Sequence, residues 1–451
     1  MSSTYPTINP FRWGFNGTVT QFASDDSVKL TLKDSKENTD FKHFVSQNVP
    51  GLRDGATFRL NPLLFTGILQ TVYLGAANFD QKFRVFYGRE VRKFSDGGIT
   101  SIDWVMNSWK DKYHFDPSNC SYDKKSFDAD EKETHLENWP RLHPFTRFLR
   151  EPEITEIDGD DRPLIVVLHG LAGGSHEPII RSLTESLSAI GNHRFKVAVL
   201  NSRGCARTKV TNRYLGTAIF TLDIEEFIRK ELEKFPNRKI YAVGFSFGAM
   251  QLSNYLSKMG ENSMLTAAAF LSNPWDMVNS TRKIDNDFWT KTLFAKTLGQ
   301  FLSRLIKVNI GELEVPNGTV PDHEPTPENP CFYTFTKENL QKISEITSPS
   351  QFDDILTAPS LGFKNAYDYY GYATSITKMP HFKIPCLVIN SIDDPIVDSN
   401  TLPRNEAMSN PYLVYCETDL GGHLAYLDSE KNSWVTPRIA EYFFKFDELV
   451  L

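Results

Sequence analysis

The chain has 451 residues, 40% of them hydrophobic and 23% charged, with a net charge of −7. That is enough for one large globular domain with insertions, or for two domains. A net negative charge without a long basic run gives no support to nucleic-acid binding.

Residues 1–85 read as an N-terminal extension of helical and loop character. The start, Met1-Ser-Ser-Thr-Tyr-Pro6, lacks the basic and apolar regions of a signal peptide. The most apolar early stretch, Leu63 to Ala77, is too short to span a bilayer and is interrupted by Thr66, Gln70 and Thr71. It reads as a helix packed on the domain, with a monotopic, membrane-facing helix as the alternative. Arg89–Phe94 and Ile99–Trp104, joined by Ser95-Asp-Gly-Gly98, predict a β-hairpin that starts the sheet. Residues 107–162 are charged and irregular.

From there the pattern alternates. Strands are predicted at Leu164–Leu168, Phe195–Leu200, Ile240–Val243, Ala267–Leu271, Cys386–Asn390 and Tyr412–Cys416. Helical patterns fall at Ser175–Ile190, Thr221–Phe235, Ala249–Lys258 and Pro437–Phe446. Such alternation gives an α/β fold with a mostly parallel sheet and helices on both faces. The chain then divides into the extension, a first core part at 86–273, an insertion at 274–385 and a second core part at 386–451. The insertion holds a helix-like segment, Phe288 to Val308, and a Pro-rich loop from Val315 to Pro330. It is expected to form a cap that lines the site and excludes water.

Four segments carry the chemistry. Gly244-Phe-Ser-Phe-Gly248 lies between a strand and a helix, so Ser246 stands at the apex of a sharp turn. A tight strand-turn-helix needs residues nearly free of side chain two positions either side, and this is the nucleophile elbow of the α/β-hydrolases. Past the strand at Cys386–Asn390 come Asp393 and Asp394, at the sheet edge where open parallel sheets place chemistry. Either carboxylate can orient a histidine, and Asp394 ranks ahead of Asp393. After the last predicted strand, Gly421-Gly422 leads into His423, which completes the order Ser, Asp, His. The loop His169-Gly-Leu-Ala-Gly-Gly174 follows another strand. Its Leu171 N–H, with that of Phe247, is the expected oxyanion hole. The glycines do not spell a phosphate loop, since neither G-x-G-x-x-G nor G-K-[ST] is present. His169 reads as a loop-packing residue. His423 and Asp428 also match H-x-x-x-x-D, a glycerolipid acyltransferase signature, but the triad order already accounts for the histidine.

The segments His169-Gly-Leu-Ala-Gly-Gly-Ser-His-Glu-Pro178, Asn201-Ser-Arg-Gly-Cys205, Ser272-Asn-Pro-Trp-Asp276 and Asp419-Leu-Gly-Gly-His-Leu-Ala-Tyr-Leu-Asp428 resemble one branch of the α/β-hydrolases. Together with Asn9-Pro10, Asn16-Gly-Thr18, Phe86-Tyr-Gly-Arg-Glu90 and Phe446-Asp-Glu-Leu449, they are similar to the yeast medium-chain fatty acid ethyl ester synthase/esterases over nearly the whole chain. The resemblance implies a Ser246/Asp394/His423 triad. It also implies acyl transfer from medium-chain acyl-CoA, as co-substrate, to ethanol, with hydrolysis of fatty acid esters alongside. No cofactor or metal is expected. A monoacylglycerol lipase, a carboxylesterase and a non-catalytic lipid-binding module of the same fold are the alternatives. Trp289, Phe294 and Phe301 are candidate walls of an acyl tunnel. The five cysteines, Cys120, Cys205, Cys331, Cys386 and Cys416, are scattered and odd in number. They favour reduced thiols in an intracellular, cytoplasmic setting, with peripheral contact to a lipid surface as a further expectation.

Overall fold

The structure, a computed structural model, describes residues 13–79 and 82–451; the Asn9-Pro10 pair lies outside them. Strand β1 (Asn16–Ala23) alternates exposed and buried side chains along its first half, as a strand with one covered face must. A short ribbon of β2 (Lys29–Thr31) and β3 (Asn38–Asp40) leads into α1 (Phe41–Asn48), which buries Phe41, Phe44 and Val45. Then come β4 (Thr57–Arg59) and α2 (Gly67–Ala76). Thr66 caps α2 by accepting the Leu69 N–H at 3.1 Å.

The expected hairpin is present as β5 (Tyr87–Lys93) and β6 (Ile99–Val105). The segment after it is more ordered than its composition implies. It holds α3 (Ser108–Lys112), α4 (Lys124–Thr134), β7 (Thr146–Phe148) and α5 (Glu151–Gly159). Helix α4 buries only Phe127, so it has no apolar stripe to betray it. Polar bonds hold it in place. Asp123 caps its start, and Arg150 reaches Asp130 at 2.7 Å and Glu133 at 3.0 Å.

The remaining strands and their helices follow in turn: β8 (Leu164–Leu168), α6 (Pro178–Ala189), β9 (Lys196–Asn201), α7 (Leu222–Lys234), β10 (Ile240–Phe245), α8 (Phe247–Met259) and β11 (Ala267–Leu271). After the insertion come β12 (Cys386–Ser391), β13 (Leu413–Thr418) and a C-terminal helix, Val435–Leu449. The main sheet runs β4-β1-β13-β12-β11-β10-β8-β9-β6-β5-β7. Its centre, from β13 to β9, is parallel throughout. Parallel strands are covered on both faces, so their side chains alternate between two cores rather than between core and water. Ile165, Val167, Tyr241 and Val243 face α6 and the C-terminal helix. Leu164, Val166, Ile240 and Ala242 face α7 and α8.

The extension corrects the expectation of helix and loop alone. Its β1 pairs antiparallel with β13, and β4 pairs with β1, so residues from the start of the chain close one edge of the sheet. The hairpin lies toward the opposite edge, and since β1 and β4 of the same sheet precede it in the chain, it does not start the sheet.

The insertion between β11 and β12 is mostly helical. It opens with α9 (Met277–Asn286) and α10 (Phe288–Thr290), passes through a π-helical turn at Lys291–Ala295 and continues as α11 (Lys296–Val308). The predicted helix at 288–308 is therefore present with a wide turn inside it. A second π turn spans Asp353–Thr357. Such turns often mark functional positions, and both of these line the cavity described below. No helix among the described residues is long and apolar enough to cross a membrane.

Candidate active site

Strand β10 ends at Phe245 and α8 begins at Phe247, so the chain turns on Ser246 alone. Ser246 has φ 50° and ψ −111°, a strained conformation for a residue with a side chain. A Cβ at Gly244 would sit 2.5 Å from the Ala249 Cα, and one at Gly248 would sit 2.4 Å from the Leu168 carbonyl oxygen. Only glycine fits at either place.

His423 Nε2 lies 2.8 Å from Ser246 Oγ, and His423 Nδ1 lies 2.8 Å from Asp394 Oδ2. Asp394 is buried, and its Oδ1 accepts the N–H groups of Ile396 at 2.7 Å and Val397 at 3.0 Å. The carboxylate therefore takes the Nδ1–H, which leaves Nε2 as the acceptor for the serine hydroxyl. Such a chain can accept the serine proton and pass it on to a leaving group.

Asp393 faces elsewhere. Its Oδ1 accepts the Ser391 hydroxyl at 2.6 Å and the Gly422 N–H at 2.8 Å, and burial pushes its carboxyl up to about 7. It shapes the approach to His423 without touching the imidazole. Asp428 is also local, since its Oδ1 accepts the N–H groups of Glu430 and Asn432.

Phe247 is the first residue of α8, so its N–H is among those with no acceptor inside the helix. Leu171 lines the same cavity as Ser246 and Phe247. His169 accepts the Ser202 N–H on Nε2 at 3.0 Å and donates from Nδ1 to the Gly170 carbonyl at 2.7 Å. Burial holds its imidazole down to about 4, so it stays neutral and pins the Gly170–Leu171 peptide.

Thr71 of α2 is a contact the sequence did not reveal. Its hydroxyl accepts the His423 N–H at 2.8 Å. Helix α2 comes this close because Gly67 has no side chain: a Cβ there would lie 2.0 Å from the Asp393 carbonyl oxygen. No motif marks Thr71, and only the tertiary fold brings it to the site.

Ser246 and His423 open into a cavity of about 410 Å³, walled by Phe294, Phe301 and Leu302 of the insertion. Trp289 is not part of the wall; it is 39% exposed and stands edge-on to Phe288. All five cysteines are free thiols.

A family described as the α/β-hydrolase fold matches residues 163–430. The medium-chain fatty acid ethyl ester synthase/esterase 2 of Saccharomyces cerevisiae is 56% identical over 450 residues, covering 100% of this chain and 99% of its own. The monoacylglycerol lipase of the same yeast is 30% identical over 440 residues, covering 96% of this chain and 91% of its own. Among solved structures, an esterase of Pyrococcus furiosus aligns with a TM-score of 0.42 at 14% identity, covering 82% of this chain and 95% of that one. The chain belongs to the α/β-hydrolase superfamily, as a serine esterase of the medium-chain fatty acid ethyl ester synthase/esterase family.

Proposed function

We propose that the chain transfers medium-chain acyl groups from acyl-CoA to ethanol, and hydrolyses esters and thioesters through the same acyl-enzyme. The observation that carries this is the unbroken hydrogen-bonded chain from Asp394 through His423 to Ser246, set at an apolar cavity. Ser246 Oγ attacks the thioester carbonyl and gives its proton to His423. The N–H groups of Leu171 and Phe247 hold the oxyanion. The thiol leaves with the proton. Ethanol or water then gives its own proton to His423 as its oxygen bonds to the acyl carbon, and His423 passes that proton to Ser246 Oγ as the acyl–Oγ bond breaks. Acyl-CoA is a co-substrate here, and no cofactor takes part. The choice of acyl group and alcohol is supported by the name of the 56% identical relative.

A second reading, hydrolysis of monoacylglycerols, is favoured by the 30% identical lipase. A non-catalytic lipid-binding module draws no support from an assembled Ser–His–Asp chain. Peripheral contact with a lipid surface belongs to the same proposal. Val72, Leu293 and Phe301 line the cavity and are each more than a third exposed. The free thiols fit an intracellular compartment.

Wild type and Ser246→Ala, each incubated with acyl-CoA of graded chain length and with a fluorophosphonate probe, test the reading. Wild type is expected to label and to consume medium chains fastest. Ser246→Ala is expected to lose labelling, esterase, thioesterase and transfer together, because all pass through one intermediate. Loss of only one activity would refute the shared acyl-enzyme.

A further inference from the structure

The turn that carries Asp394 is held from both sides. Its N–H groups at Ile396 and Val397 point inward to Asp394 Oδ1. Its carbonyls point outward, to side chains of the insertion. Lys283 Nζ donates to the Asp394 carbonyl at 2.7 Å and to the Val397 carbonyl at 2.8 Å. The Thr290 hydroxyl donates to the Pro395 carbonyl at 3.0 Å. Thr290 is fully buried, and its own N–H is fixed by Asp287 Oδ1 at 2.9 Å. With both faces bonded, the turn has little freedom to rotate, and Asp394 Oδ2 is left aimed at His423.

Helix α9 also faces the cavity. Ser280 and Thr281, within the turn before Lys283, and Ile284, next to it in the chain, line it. Ile284 packs with Ile396, the residue two places beyond Asp394, and with Phe294. One short helix thus touches the acyl site on one face and the acid's turn on the other.

We propose that Lys283, seconded by Thr290, is a positioning residue of the triad: the cap holds the Asp394 turn in register with His423, so the acid is correctly placed only while α9 is seated. The inference rests on Asp394 being the acid of the triad. An ammonium bonded to two carbonyls forms charge-assisted bonds, and a displacement of about 1 Å in a catalytic group can cost about 10²-fold in rate. Because α9 also forms part of the acyl wall, filling that site and completing the triad are mechanically linked.

The test compares Lys283→Met, Lys283→Arg, Thr290→Val and Asp394→Asn on a short p-nitrophenyl ester whose acyl group is too small to reach the cap wall. Two quantities are read: the split between kcat and KM, and the low-field NMR signal of the proton between His423 and Asp394. Lys283→Met is expected to lose kcat by up to about 10²-fold with KM little changed, and to lose or broaden the signal. Lys283→Arg is expected to restore both. Thr290→Val, which removes one hydroxyl and keeps the shape, is expected to move both in the same direction by less. If Lys283→Met keeps wild-type kcat and signal, or affects only KM, the proposal is overturned. If Lys283→Met does not fold, unchanged kcat and signal in Thr290→Val overturn it instead. Asp394→Asn separates the two levels. If it retains full activity, the triad assignment itself fails. If it is inactive while the Lys283 and Thr290 variants are normal, the clamp alone fails.

Discussion

The N–H of His423 donates to the hydroxyl of Thr71 at 2.8 Å, and that hydroxyl donates to the Gly67 carbonyl at 2.7 Å. The loop carrying His423 is therefore moored to a helix whose Thr71 lies 352 residues earlier in the chain. Thr71→Val leaves the His423 N–H without its acceptor, at a cost of about 1–3 kcal/mol. A looser imidazole is expected to lower kcat by up to about 10²-fold, with KM for short esters little changed. Thr71→Ser keeps the oxygen and is expected to retain most activity. Steady-state kinetics on the two variants check this, and a loss in Thr71→Ser with none in Thr71→Val would mean that the methyl packing matters rather than the bond.

The two adjacent aspartates are expected to separate sharply. Asp394→Asn removes the partner of the Nδ1–H and should cost on the order of 10⁴-fold in turnover, the precedent for a triad acid. Asp393→Asn keeps an oxygen for the Ser391 hydroxyl and the Gly422 N–H and should lose far less. Turnover numbers for the pair on one ester decide it, and the reverse ranking would transfer the role to Asp393.

Asp393 should nevertheless show itself in stability. Burial raises its carboxyl from an ordinary 3.8 to about 7, that of Glu177 from 4.5 to about 7, and that of Asp353 from 3.8 to about 6. An acid with a raised folded-state pKa binds its proton more tightly folded than unfolded. Its contribution is complete below the unfolded pKa and is lost as pH rises through the folded one. Asp103 behaves oppositely: it is buried, yet the Arg89 guanidinium holds it below its ordinary value, so its contribution is lost only in stronger acid. Between about pH 4 and 7 these three raised acids therefore act to make Tm fall as pH rises. Asp393→Asn is expected to flatten part of that slope. Thermal unfolding across the window measures it, and an unchanged slope would show that Asp393 titrates as an ordinary surface acid.

The alternating core was legible because its strands are short apolar runs. The observed β8 and β11 have the predicted bounds, and β12 differs by one residue. Ser246 and His423 were legible because glycines and chain order mark them. Choosing between Asp393 and Asp394 from residues alone was harder, since both occupy one turn. The difference lies in which carboxylate the turn's own N–H groups wrap. Strand β1 was missed because it pairs with a strand nearly 400 residues away, and a single half-covered strand is a weak local signal. Thr71, Lys283 and Thr290 reach the His423 and Asp394 loops through tertiary hydrogen bonds, where sequence spacing carries no information.

Chain-length preference is expected to follow the cavity wall and not every aromatic residue of the cap. Phe294 is buried in the first π turn and lines the cavity, whereas Trp289 stands outside it. Phe294→Ala opens room for further methylenes, each worth about 0.8 kcal/mol when buried. The acyl-CoA optimum should move to longer chains. Trp289→Ala should leave the profile unchanged. Rates over a graded acyl series distinguish the two, and a shift in Trp289→Ala alone would place the tunnel on the other side of α10.

The partition between water and ethanol is expected to depend on the same apolar wall. Once Ser246 is acylated, His423 is free to take a proton from whichever hydroxyl approaches from the side the thiol has left. Neither His423 nor the oxyanion donors distinguish water from ethanol, so the outcome follows relative concentration and the dryness of the cavity. Phe294, Phe301 and Leu302 give ethanol an apolar surface that water does not exploit. Ethanol should therefore capture more of the acyl-enzyme than its molar share. Raising ethanol is expected to divert product from free acid to ethyl ester, while acyl-CoA consumption stays level or rises modestly, because acylation is untouched. With ethanol removed, the same protein should slowly hydrolyse the ethyl ester, since the deacylation step is reversible. Both products, quantified across an ethanol series, check this directly. Free acid as the sole product at high ethanol would make the protein a hydrolase and remove transfer from its activities.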